Sequence, residues 1–157
     1  MTEKYEIDSV DRQILNELMQ NARAPFIEIA RKLIVSGGTI HQRVDKMKAA
    51  GIIEGSTLRL NLKKLGFDVT VFLGVHLKST KDMPEVIEKL NTFPEVVEAH
   101  FTTGNYALLL KINTSSISDY HQFLVDKLQS IESVQATESF ISLDQPISKE
   151  VAILSPS

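Results

Sequence analysis

Cysteine is absent from all 157 residues, which removes disulfides and cysteine-based metal sites and points to a reducing compartment. The four histidines, His41, His76, His100 and His121, form no close pair. No zinc-type ligand spacing exists, and each reads as an ordinary surface or half-buried residue. No run of eighteen apolar residues is long enough to cross a bilayer and no signal-peptide pattern is present, so a soluble, cytoplasmic setting without membrane contact is expected. A phosphate-cradling glycine-rich loop is missing, as is a Ser-His-Asp pattern that spacing could support. Residues 67–157 hold no arginine; a small phosphate-handling enzyme would need arginine around its anion, and an RNA-binding sheet would need basic and aromatic strand faces. The expectation is a protein that is not an enzyme, with no metal and no cofactor.

What is present is a chain that is 43% hydrophobic, enough for two small cores. Its charge is unevenly spread. The net charge of −3 divides at Gly66: residues 1–66 carry eleven Lys/Arg against eight Asp/Glu, and residues 67–157 carry six against twelve. A part of net +3 therefore precedes a part of net −6, and all five arginines (Arg12, Arg23, Arg31, Arg43, Arg59) lie in the first. A basic front half suits a polyanion.

The front half is patterned as three short helices. Asp8 with Asp11 three residues on makes a capping box, followed by Val10, Ile14, Leu15, Leu18 and Met19 as an inner face. Phe26, Ile29, Ala30 and Leu33 recur at i, i+3, i+4 and i+7 and stop at Ile34-Val35. Ser36 caps a third helix whose buried stripe is Ile40, Val44 and Met47. Opposite that stripe, at 100° per residue, lie Gly38, Gln42, Asp45, Lys46 and Ala49, flanked by Thr39 and His41. A turn followed by a helix with this outer side is the profile of a helix-turn-helix reader of double-stranded DNA. Ser36, Gly37, Gly38, Thr39, His41, Gln42 and Lys46 are the candidate groove-facing residues, with Gln42 suited to bidentate contact with adenine. Arg23, Lys48 and Arg59 are the candidate phosphate contacts. Arg43, near the buried flank, either joins them or bridges to Asp11. Ile53–Leu62 alternates with period two around Gly55, consistent with a strand or small hairpin, the wing of a winged helix-turn-helix.

The back half contains a repeat. KLNTFPEVVEA (89–99) aligns without gaps on KLQSIESVQAT (127–137), a helix end followed by a strand start in each copy. Each copy follows a capped helix, Asp82 with Glu85 before Val86, Ile87 and Leu90, and Ser116 with Asp119 before Tyr120, Phe123, Leu124, Val125 and Leu128. Apolar strands, Phe67–Leu77 and Tyr106–Ile112, precede the helices. The fold class is α+β: a winged helix-turn-helix over residues 1–60, a linker at 61–66, and a ferredoxin-like βαββαβ domain over 67–157. Phe72 and Leu109 point away from the side taken by Val71, Leu73, Leu108 and Leu110, so both sheet faces are apolar. A second copy of the chain, packed face to face, is the expected cover. Its two-fold axis would pair two reading helices on half-sites ~34–36 Å apart or a multiple of that.

Three stretches, IDSVDRQILNELMQNARAPFIEIARKL, VSGGTIHQRVDKMKAAGIIEG and EAHFTTGNYALLLKI, resemble in this order the Lrp/AsnC family of bacterial feast/famine transcriptional regulators, with similarity over nearly the whole chain. Within that family the sequence is most similar to the asparagine-responsive type. The resemblance implies DNA binding, dimers that assemble into octamers, and a C-terminal (RAM-type) domain that senses an amino acid, asparagine the expected one, at interfaces between subunits. It assigns the sensing loop to Thr102, Thr103, Gly104, Asn105 and Tyr106. An amino acid needs N–H or hydroxyl donors for its carboxylate and acceptors for its ammonium. Thr102, Thr103 and Asn105 offer such groups, and Gly104 is expected to supply the positive φ of a tight turn. Gln129, Gln135, Thr137 and Glu138 are candidates for the second wall, from a neighbouring subunit.

Two departures from the family pattern stand out. Ala107 occupies a position where many members are acidic, which removes one ammonium contact. Ile34 occupies a turn position where glycine is common, so the turn is either built differently or strained by ~1–3 kcal/mol. Gly37-Gly38 at the start of the third helix costs ~0.5–1 kcal/mol each against alanine. The competing expectation for the whole chain is an amino-acid-sensing oligomer whose helix-turn-helix no longer binds DNA.

Overall fold

The computed structural model describes residues 5–153, and within them the chain forms two compact units. Helix α1 spans Ser9–Gln20, α2 Phe26–Leu33 and α3 Gly37–Ala49. The capping box at the start of α1 is complete: the Asp8 carboxylate accepts from the Asp11 N–H at 2.8 Å and the Asp11 carboxylate accepts from the Asp8 N–H at 3.2 Å. Ile14, Leu15, Ile29, Ala30, Ile40, Val44 and Met47 are the buried core, with Val10, Leu18, Phe26 and Leu33 packed around it. Met19, expected to face inward, is 40% exposed. Five residues on from Ile14 it lies about 140° around the helix, off the inner face.

The turn between α2 and α3 takes the strained alternative. Ile34 adopts φ 57°, ψ 46° in the left-handed region, and the Val35 N–H returns to the Ala30 carbonyl at 3.0 Å. That bond satisfies an end carbonyl of α2, and the conformation costs a β-branched residue ~1–3 kcal/mol. The side chain is 92% exposed, so it buries nothing to offset the strain.

The expected wing is not formed in this chain. Residues 53–61 carry no strand or helix, and Leu58 and Leu60 are 74% and 56% exposed. A period-two run becomes a strand only when a partner takes up its N–H and C=O groups. The linker also differs from expectation: residues 63–65 form a 3-10 turn ended by Gly66 at φ 86°. The first unit runs to Arg59 and takes back the chain from Ile147 onward, whereas residues 60–146 form the second. Ile153 packs on the helical core and its carbonyl accepts from Asn16 Nδ2 at 3.0 Å. The C-terminal tail lies with the helical unit because an apolar residue there finds the helical core. The outermost parts of the expected domain limits, residues 1–4 and 154–157, lie outside the described residues.

The second unit is β1 Val69–Leu77, α4 Met83–Asn91, β2 Val96–Phe101, β3 Leu108–Thr114, α5 Ile117–Asp126 and β4 Val134–Ile141. The four strands form one antiparallel sheet in the order β2-β3-β1-β4, the ferredoxin-like arrangement. Val71, Leu73, Val75, Leu108, Leu110 and Ile112 share one face and pack on Val86 and Leu90 of α4 and Tyr120 and Phe123 of α5. The Ser116 cap of α5 forms as expected, accepting from the Asp119 N–H at 3.0 Å. The Asp82 cap of α4 does not: a 3-10 turn over Thr80–Asp82 leads into the helix, and it is Ser79 that accepts from the Lys81 N–H. Asp82 is held in helical φ/ψ by that turn, which denies it the extended backbone of a capping residue. Ile87 and Val125, expected inward, are 39% and 45% exposed on the outer sides of α4 and α5.

Candidate functional site

On α3 the side opposite Ile40, Val44 and Met47 presents Gly38, Gln42, Asp45 and Lys46, all exposed. Ser36 holds the start of the helix: its hydroxyl accepts from the Thr39 N–H at 3.1 Å and lies 2.8 Å from Thr39 Oγ1. Both hydroxyls are therefore already engaged in the cap. His41 is exposed but rests edge-on against Phe26 of α2, with ring centroids 4.5 Å apart. A Cβ on Gly37 or Gly38 would meet only Ile27 Cδ1 or Ser36 Oγ, each at 3.8 Å. Packing inside the unit does not require glycine there. Lys46 and Lys48 sit in the last turn, where cations favour the helix dipole.

The phosphate candidates are scattered. Arg23 lies exposed in the turn before α2, its backbone N–H bonded to Asn21 Oδ1 at 3.0 Å. Arg59 donates to the Ser148 carbonyl at 3.2 Å. Arg43 takes the internal role: its Nη1 donates to Asp8 Oδ2 at 2.7 Å and to Asp11 Oδ1 at 2.9 Å. The bond from the Asp11 N–H, reinforced by Arg43, holds the Asp8 carboxyl below its usual range.

In the sheet unit the loop from Thr102 to Ala107 joins β2 to β3. The Thr102 N–H bonds the Ala107 carbonyl at 3.2 Å and the Thr102 hydroxyl bonds the Tyr106 carbonyl at 2.5 Å. Gly104 does not adopt the positive φ expected of it. The reversal is spread over the bend at residues 103–105 and closed by the Thr102 bonds, so no single residue has to take a left-handed conformation. Thr103, Gly104 and Asn105 are exposed at its tip.

Tyr106 carries the geometry that the sequence did not reveal. Its ring lies over Gly74 of β1 so closely that a Cβ there would stand 2.6 Å from ring atoms. Its edge meets His76 at 5.1 Å and Phe140 at 6.3 Å between centroids. Its hydroxyl donates to Glu138 on β4, and that carboxylate raises the tyrosine pKa. A glycine inside the apolar run VFLGVHL was the available signal, since strand glycines mark close approach by another group.

Of the proposed second wall, the chain itself brings only Glu138 to the loop. Glu138 pairs with Gly74 across the sheet, whereas Thr137 pairs with Val75 and so faces the other side. Gln135 falls at the irregularity of β4 opposite His76 and Leu77, and Gln129 belongs to the 3-10 turn after α5. A cavity of about 560 Å3 in this unit lies elsewhere, between Phe67, Glu95, Asn113, Asp119, Phe123 and Lys127, and includes none of the candidate effector residues. The sheet face that carries Tyr106 also shows Phe72 directly across from Phe140, 39% and 44% exposed.

No helix among the described residues is long and apolar enough to cross a membrane, and no group of three or more acidic or histidine side chains there is arranged to hold a metal.

Known proteins share this organisation. Residues 7–48 match the AsnC-type helix-turn-helix domain and residues 70–151 match the Lrp/AsnC ligand binding domain. The chain is 47% identical to the Regulatory protein AsnC of Haemophilus influenzae, covering 94% of this chain and 98% of that protein. It is 46% identical to the Regulatory protein AsnC of Escherichia coli K12, with 95% and 98% covered. The solved structure of E. coli AsnC superposes with a TM-score of 0.91 at 44% identity, over 94% of this chain and 99% of that one. A Neisseria meningitidis transcriptional regulator solved as an L-Met complex shares the fold, with a TM-score of 0.87 at 22% identity over 94% and 96%. With a helix-turn-helix and a ligand-binding domain both matched, and relatives similar from end to end, the chain is a transcriptional regulator that belongs to the Lrp/AsnC family.

Proposed function

We propose that this regulator reads double-stranded operator DNA through the outward side of α3, and that an amino acid, asparagine first among candidates, binds between ligand-binding domains of two subunits and changes DNA affinity. The observation that carries the reading is α3 itself: a capped helix fixed by three fully buried residues, with Gln42 and Lys46 exposed on the opposite side. Gln42 reads a base edge, and Thr39, His41, Ser36 and the Gly37-Gly38 backbone line the approach. Lys46, Lys48, Arg23 and Arg59 supply the charge that phosphates require.

The effector end is Thr102, Thr103, Gly104, Asn105 and Tyr106, with Glu138 beside the tyrosine and Gln129, Gln135 and Thr137 contributed from a neighbouring subunit. Support for asparagine comes from the relatives called AsnC. The L-Met of the Neisseria protein belongs to that protein and supports only the chemical class. Self-association through the sheet face is supported by the apolar stripe of Phe72, Phe140 and Tyr106, and octamers by the family resemblance. A cytoplasmic setting, where chromosomal DNA is accessible, fits this reading. An effector shifts DNA binding only as far as its affinity differs between two assemblies or domain arrangements.

Titration calorimetry of the full chain against the twenty amino acids, followed by gel shifts with and without the binder, tests the reading. Heat from asparagine and a changed shift support it. Heat without any DNA retention would identify an amino-acid sensor that has lost its reader. Gln42→Ala is expected to weaken the specific complex by ~1–3 kcal/mol with little effect on bulk DNA.

A further inference from the structure

We propose that Arg43, the arginine of the reading helix, is a positioning residue that sets the rotation of α3 and does not touch DNA. The inference rests on the reading that α3 contacts DNA. Arg43 Nη1 donates to two carboxylates of the α1 N-terminus, Asp8 at 2.7 Å and Asp11 at 2.9 Å. Asp11 is 1% exposed, and its second oxygen accepts from the Asp8 N–H at 3.2 Å and from the Tyr5 hydroxyl at 3.0 Å. A residue before α1, the α1 cap and, from 32 residues on, the middle of α3 therefore converge on one buried carboxylate.

Two consequences follow from the chemistry. One guanidinium shared by two carboxylates is a group of net charge −1, so it repels a phosphate; swinging Arg43 out to DNA would leave Asp11 buried and unpaired, a costly state. Apolar packing of Ile40, Val44 and Met47 is non-directional and tolerates a roll of the helix, whereas charge-assisted hydrogen bonds fix direction. Side-chain tips stand about 5–6 Å from the helix axis, so a roll of about 20° moves them roughly 2 Å. That displacement exceeds what a bidentate contact from Gln42 tolerates. Gln42 is the neighbour of Arg43 in sequence, and Lys46 is one turn on. Tyr5 and Asp8, both outside α2 and α3, become determinants of how α3 reads.

The test uses the full chain and a duplex selected from a random-sequence library by the wild-type protein, with calf thymus DNA as bulk competitor. Arg43→Met, Asp11→Asn and their combination are compared at several salt concentrations. Asn at position 11 keeps an acceptor for the Asp8 N–H. Each single variant is expected to lose about tenfold in affinity for the selected duplex, the scale of one misplaced base contact, with bulk binding and the slope of log K against log salt unchanged. The double variant should lose no more than either single one. Arg43 as a phosphate contact gives the opposite signs: Asp11→Asn, by freeing the cation, would bind more tightly, and Arg43→Met would lower the salt slope by about one. Either result overturns the proposal. Should the buried substitutions unfold the unit by circular dichroism, Asp8→Asn, at an exposed position, keeps the cap and removes one arm; weaker specific binding supports the proposal and tighter binding overturns it. Failure of the wild type to select any preferred duplex would instead defeat the DNA-reading assignment itself.

Discussion

The helical unit and the sheet unit present their polar groups in opposite ways. In the helical unit the core is seven side chains, and which groups face outward from α3 follows from helical period: a buried Ile40 puts Gln42 on the exposed side. In the sheet unit the core is larger, twelve buried residues, yet the candidate effector loop is held by contacts from far along the chain: Tyr106 over Gly74 and its hydroxyl on Glu138. Reading a straight double helix asks for a rigid projection, and one element supplies it. Enclosing a small zwitterion asks for walls from several directions, and no single element of the sheet unit supplies them.

The largest expected effect that sharpens this contrast is in the cores. Leu110→Ala is expected to cost ~2–5 kcal/mol and to remove hydrogen-exchange protection from β1 and β3 while α1–α3 keep theirs. Loss of protection in both units together would break the picture of two separate cores. Next comes Gly74→Val, which forces Tyr106 off the sheet; ~1–3 kcal/mol of overpacking in the sheet unit and loss of effector heat are expected, with DNA retention preserved. Gly104→Val is the control, since a Cβ there meets open space, and it should leave thermal stability unchanged.

A smaller gain is expected in the turn of the reader. Ile34→Gly relieves the left-handed strain and should raise unfolding free energy by ~0.5–1 kcal/mol after the added chain entropy of glycine, as read from urea midpoints. Smallest is the pH response of the α1 cap. The Asp11 N–H, with Arg43, holds the Asp8 carboxyl below its ordinary value of about 3.8. Its contribution is therefore complete about a pH unit above that unfolded value and lost as pH falls through the lower folded one. At 50% exposure the carboxylate contributes less than ~1 kcal/mol, and Asp8→Asn should flatten the acid limb of the stability curve by that amount.

Local rules made the reader legible. The Asp8–Asp11 box, the Ser36 cap and the Ile40-Val44-Met47 stripe depend on residues three or four apart, and all three formed. The repeat likewise gave the ferredoxin-like order, because helix and strand periods survive in both copies. Apart from the Asp82 cap and the inner-face margins at Met19, Ile87 and Val125, what escaped depends on distance. Arg43 sits 60° from Ile40 around α3, where a long side chain can turn either inward or outward, and only the placement of α1 decides. The wing failed because the alternation of residues 53–61 needs a strand partner that these residues do not have within the chain. Glu138 was singled out among polar strand positions, but nothing local distinguished it from Thr137; the register against Gly74 does. The tail after Ile147 joined the helical unit through one apolar residue, Ile153, too weak a signal to move a boundary from sequence.

The central claim is that one unit reads DNA and the other responds to an amino acid. Fluorescence anisotropy of the full chain on its selected duplex, competed with bulk DNA and repeated with saturating asparagine, tests it most directly. A preference for the selected duplex that changes severalfold with the amino acid is the expected result; equal affinity for both DNAs, unmoved by any of the twenty amino acids, would contradict it.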